Sequence, residues 1–116
     1  MEKEYDWYYS LIEKHFYNYP DDYRTILEHA KVLLHTHENE LKELIVKSFR
    51  AYAASRFTPK KRVKSSRYTY FREALSGLAD LGLTGVQREL VTFFIEEYKS
   101  RLALRRELTA IKLYDD

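Results

Sequence analysis

Breakers of regular structure are nearly missing from this chain, with three glycines and two prolines in 116 residues. Between them, apolar residues recur every three or four positions, which is the spacing that lines one face of an α-helix. The pattern predicts an all-α fold, a compact bundle of four to five helices joined by short connections, forming a single domain over residues 1–116. An apolar fraction of 45% is enough for a core without covalent staples.

The first helix is expected from about Glu4 to Asn18, with Tyr5, Tyr8, Ile12, Phe16 and Tyr19 on one face and Trp7 and Leu11 flanking it. Pro20, Asp21 and Asp22 suit the opening turn of a second helix, where a missing amide is harmless and acids complement the dipole. That helix carries Tyr23, Ile26, Leu27, Ala30, Leu33 and Leu34, and a third carries Leu41, Leu44, Ile45, Phe49, Tyr52 and Ala53. A short break near Thr36–Asn39 is favoured because the stripe shifts register around Leu44–Ile45, the alternative being one long bent helix from Pro20 to Phe57.

Thr58 to Ser66 reads as a connector, and Ser65 or Ser66 is expected to cap a fourth helix that Gly82 ends. Thr84-Gly85-Val86-Gln87 has the spacing of a capping box. The helix it opens is expected to be long, reaching Leu113, with an end that either breaks or protrudes against a second subunit. The expected core is Trp7, Ile12, Phe16, Ile26, Leu27, Leu33, Leu34, Leu44, Ile45, Phe49, Leu75, Leu78, Leu90, Phe94 and Leu102.

Charge is distributed far less evenly than the net value of +2 suggests. Residues 1–43 hold five Lys/Arg and ten Asp/Glu, and residues 73–116 hold six and eight. The 29 residues between them, 44–72, hold nine Lys/Arg and no acid. Phosphates are the natural complement of such a strip, because each contact releases condensed counterions. The candidate nucleic-acid-binding residues are Lys47, Arg50, Arg56, Lys60, Lys61, Arg62, Lys64, Arg67, Tyr70 and Arg72. Ser65, Ser66, Thr69 and Tyr68 add hydroxyls for phosphate or sugar, and Phe57 or Tyr70 can stack on unpaired bases. Read as a helix-turn-helix, the run from Ser65 to Arg72 would be the recognition helix, although only about eight residues separate it from Phe57.

Other chemistry is thinly represented. With no cysteine there is no disulfide, thiolate metal site or thiol nucleophile, and a cytoplasmic setting is expected. The start Met1-Glu2-Lys3-Glu4 is not followed by an apolar run, so neither a signal peptide nor a membrane segment is expected. His15, His29, His35 and His37 include a His-x-His beside Glu40, but helical metal ligands prefer spacings of three or four, so no metal is assigned. Glycine-rich phosphate loops, nucleophile elbows and HExxH are missing, and neither catalysis nor a cofactor is expected.

Arg24 and His29 have the Arg-x-x-x-x-His spacing of the HEPN family of helical ribonucleases, a resemblance confined to these two residues of a six-residue window. It implies a ribonuclease in which the pair activates a 2′-hydroxyl and holds its phosphate at a dimer groove. In that family the motif usually sits late in the domain, whereas here it comes early. The leading expectation is instead a small non-enzymatic regulator that binds nucleic acid, DNA rather than RNA, with a homodimer suggested by the long last helix. The alternative is a protein-binding adaptor, inhibitor or immunity-type bundle. In it the basic strip meets an acidic protein surface and the tyrosine-rich first helix forms the contact core.

Overall fold

The computed structural model describes residues 2–58 and 63–111, with side chains from Tyr5 onward except that of Ser65. The described residues are helical and contain no strand. Five α-helices follow in order: α1 (Glu2–Asn18), α2 (Tyr23–Arg56), α3 (Ser65–Gly77), α4 (Thr84–Glu97) and α5 (Leu102–Thr109), with a 3-10 turn at Ala79–Leu81. The chain falls into two compact units, one ending at Thr58 and the other beginning at Pro59.

In the first unit α1 lies against α2. The break expected near Thr36–Asn39 is found at His37, whose φ −131° and ψ 42° are non-helical, and two helical runs meet at this kink to make the 34 residues of α2. Neither glycine nor proline stands there. The bend arises where the Thr36 hydroxyl donates back to the Leu33 carbonyl, a bond that pulls a helix off axis, and where the His37 ring turns to α1. On either side the stripe holds: Tyr23, Ile26, Ala30 and Leu33 are buried before the bend, and Leu41, Leu44, Ile45, Phe49 and Ala53 after it. The Tyr23 and Phe49 rings stack at 4.5 Å.

Helix α2 begins three residues after Pro20, with Asp22 outside it as the N-cap. Its Oδ1 accepts from the Thr25 amide at 3.4 Å, and its Oδ2 accepts from the Thr25 hydroxyl at 2.7 Å. His15 Nε2 reaches the same Oδ2 at 2.8 Å, tying the end of α1 to the start of α2. Burial alone would raise the Asp22 carboxyl, but the hydrogen bonds from His15 and Thr25 outweigh it and hold the group below its usual value. A depressed carboxylate contributes stability above its unfolded pKa and loses it as pH falls through the folded value. Asp22→Ala is therefore expected to cost about 1 kcal/mol at neutral pH. In thermal melts at a series of pH values, that difference should shrink below about pH 4.

In the second unit α3, α4 and α5 pack on one another around Phe71, Leu75, Leu78, Leu90, Phe94, Leu104 and Leu108, all buried. Three expectations fail here, the first being that Gly82 ends the helix: α3 stops at Gly77. Lys64, not a serine, is the N-cap of α3, and it makes no side-chain capping bond. Thr84 is already helical and Leu83 is the N-cap of α4, so the capping box is not formed. Gln87 is buried instead, and its Nε2 donates to the carbonyls of Leu75 and Ser76 at 2.9 and 3.2 Å, satisfying the end of α3. Gly82 sits at φ 76° after the 3-10 turn, a left-handed position where glycine carries no Cβ penalty.

The long last helix is not observed. The helix stops at Tyr98 and restarts after Arg101, so the segment becomes α4 and a short α5. Arg101 Nη1 donates to the Tyr68 hydroxyl at 2.7 Å, and the restart turns Leu104 and Leu108 inward. Leu102, four residues beyond Tyr98 and expected in the core of a continuous helix, is 63% exposed. Trp7 is likewise outside, at 67%, while Phe16, Leu27 and Leu34 are half-buried. With no protruding helix, the structural basis for expecting a dimer is lost. Among the described residues no helix is long and apolar enough to cross a membrane.

Candidate nucleic-acid interface

The basic strip runs from the second half of α2 into α3, and each unit presents its share separately. On α2, Lys47 and Arg50 are exposed and three residues apart, on the side opposite the buried Ile45, Ser48, Phe49 and Ala53. The stripe that buries those groups is what turns the two cations to solvent. Arg56, at the helix end, is exposed but engaged: its guanidinium lies 3.9 Å from Asp21 Oδ2 and 5.9 Å from the Tyr52 ring centre. It borders a cleft of about 390 Å³ lined also by Tyr19, Asp22, Tyr23, Arg24 and Tyr52. Lys60, Lys61 and Arg62 lie outside the described residues.

In the second unit Lys64 and Arg67 are exposed at the start of α3, a helix end with no acidic residue in its first turn. The partial positive charge of that end adds to theirs. Ser66 is exposed beside them, and Tyr70 is 54% exposed. Arg72 is differently placed. Its Nε donates to Glu107 Oε2 at 2.6 Å, and the Thr69 hydroxyl lies 3.4 Å from the other oxygen of that carboxylate. Tyr68 is buried and accepts from Arg101. Four residues expected to meet a ligand, Phe57, Tyr68, Thr69 and Arg72, are thus buried or occupied inside their own units, and Arg56 is exposed but close to Asp21. The charges that face solvent among the described strip residues are those of Lys47, Arg50, Arg56, Lys64 and Arg67.

As a recognition helix, α3 presents Ser66, Arg67 and Tyr70 outward and turns Tyr68 inward. The acid-free strip ends before Glu73 of α3 and so leaves out α5. Arg101 reaches α3 through Tyr68, and Arg105 and Arg106 are exposed on the same short helix. The Arg105-Arg106 pair was a visible signal, diluted by the acids that surround it in the last third.

The histidines face the α1–α2 contact. His29 hydrogen-bonds the Tyr8 hydroxyl, His35 meets the edge of Tyr5 at 4.9 Å, and His37 stacks on Tyr9 at 4.8 Å. No group of three metal-ligating side chains occurs among the described residues. Arg24 and His29 diverge around α2: Arg24 lines the cleft near Arg56, whereas His29 is turned to Tyr8 and is not part of that lining. Comparison with protein families, curated proteins and solved structures finds no match to this chain.

Proposed function

We propose that this protein is a small non-enzymatic regulator that binds nucleic acid, DNA rather than RNA, through residues 47–72. The observation that carries the reading is the 29-residue stretch with nine Lys/Arg and no carboxylate. Its support in the folded chain is the exposure of Lys47 and Arg50 on α2 and of Lys64 and Arg67 at an α3 start free of acid. Phosphate contacts of this kind position the protein, and Tyr70 or Ser66 supplies contacts to sugar or base. A cytoplasmic setting fits a chain without cysteine.

The test is retention of labelled duplex DNA, with single-stranded DNA and RNA as competitors, over a salt series. With about six phosphates contacted, affinity should fall roughly a thousandfold between 50 and 200 mM salt. No retention at 50 mM salt would defeat the proposal, and RNA outcompeting duplex DNA would overturn its preference.

A second reading, a protein-binding module, is favoured by a separate observation. Trp7, Leu11 and Tyr17 of α1 and Tyr19 just beyond it are exposed, at 67, 46, 75 and 59%. Aromatic residues are enriched at interface centres. Recovery of one stoichiometric protein partner, with no bound nucleic acid, would select this reading instead.

A further inference from the structure

The cleft of about 390 Å³ in the first unit is bounded by the turn after α1, the start of α2 and the end of α2. Its aromatic lining is held in place by its neighbours. Tyr23 is 4% exposed and stacks on Phe49. The Tyr52 ring stands edge-on to Tyr23 at 5.1 Å and to Phe57 at 5.8 Å. Tyr19, also of the lining, is 59% exposed, which leaves its ring open to a flat ligand.

Asp22 is spent on capping α2 and on His15. Asp21 and Arg56 come within 3.9 Å, too far for a hydrogen bond, so they attract each other while the guanidinium donors are not consumed by that carboxylate. Arg24 brings a second guanidinium to the lining. A matching ligand therefore combines a flat ring for tyrosine, a donor edge for Asp21 and an anionic group for two arginines. A nucleotide supplies all three, and the volume lies within the range of about 300–1,000 Å³ usual for small-molecule sites. An arginine side chain from a partner would suit Asp21 and the rings, but it would place a third guanidinium beside Arg24 and Arg56. Among the common bases, guanine offers two adjacent N–H donors, N1 and N2, to a single carboxylate, which only accepts.

We infer that this cleft is a subsite for a guanine nucleotide, with the ring on Tyr19, the paired N–H edge on Asp21 and the phosphate on Arg24 and Arg56. The bases of a duplex are stacked and paired and cannot enter, so the occupant is a free nucleotide or an unpaired guanine in a strand. The subsite shares Arg56 with the basic strip but does not rest on duplex binding.

The experiment titrates the full chain with guanosine, adenosine and uridine 5′-monophosphates, followed by NMR, and with labelled oligothymidine carrying one guanine or none, followed by anisotropy. The guanine ligand should bind about tenfold more tightly than its counterparts in at least one of the two series, the discrimination expected of a bidentate contact. Preference among the monophosphates identifies a free nucleotide as occupant, and preference among the strands alone identifies an unpaired position. Asp21→Asn should erase the preference. Base preference rather than total affinity is the readout, because losing Asp21 also frees Arg56 for phosphate. Tyr19→Ala should weaken binding of every base about tenfold through lost stacking. Equal affinities for all bases in the wild-type chain, or a guanine preference that persists in Asp21→Asn, would overturn the inference. The variant with Lys60, Lys61, Arg62 and Lys64 replaced by glutamine should keep the guanine preference even where duplex retention is lost, so the two readings fail separately.

Discussion

Replacing Lys60, Lys61, Arg62 and Lys64 together by glutamine should abolish nucleic-acid retention at moderate salt while leaving the helical content unchanged. Each cation that neutralises a phosphate contributes about one unit to the slope of log affinity against log salt, so the slope should fall by about four. The fold should survive because Lys64, the described member of the set, is exposed and makes no capping bond. Arg72→Gln is the informative contrast. Its guanidinium is held by Glu107, so its loss should alter the salt slope little and the stability of the second unit more. Equal slopes in the wild-type and fourfold variant, measured by fluorescence anisotropy, would remove the segment from any phosphate contact.

Truncating Phe49 should have the largest effect on stability. Its ring is fully buried, stacks on Tyr23, and belongs to the stripe that α2 turns to the core of the first unit. Phe49→Ala should cost about 3–5 kcal/mol, the transfer free energy of the lost ring plus the cavity left behind. In a unit this small that corresponds to a fall in melting temperature of more than about 10 °C. Trp7→Ala is the matched control, since a larger ring is removed from an exposed site and the midpoint should barely move. Equal losses in the two variants would mean that burial does not govern stability here.

What could be read in advance follows the distance over which each feature is decided. Helical period is local, so Ile26, Leu33, Leu44, Ile45, Phe49, Leu75, Leu78, Leu90 and Phe94 were identified as core and are buried. Trp7, at the flank of the apolar face, is expected in the core on hydrophobicity alone. It stands five residues from buried Ile12, about 140° around the helix, and so points away from α2. Leu102 failed for another reason: the break before it carries no glycine or proline and is accompanied by the Arg101–Tyr68 contact, 33 residues apart in sequence. The bend at His37 likewise carries no glycine or proline; the shift of the apolar stripe pointed to a break near it, whereas its cause lies in the threonine back-bond and in Asp6 on α1.

The basic strip was legible as a count, since charge can be added up without knowing a fold. Which of its members remain open to a ligand was not. Arg72 is taken by Glu107 and Arg56 approaches Asp21, both across sequence separations of about 35 residues. The same holds for Gln87, whose spacing from Thr84 imitated a local motif while its side chain went to the previous helix.

That glutamine also sets a length. Its amide spans from the first turn of α4 to the last carbonyls of α3, and the backbone between is closed by a 3-10 turn and the left-handed Gly82. Surface turns ordinarily accept extra residues at little cost. Here one inserted residue would carry the amide away from both carbonyls and strand buried polar atoms, so the hinge between these helices behaves as a gauge block rather than a slack loop.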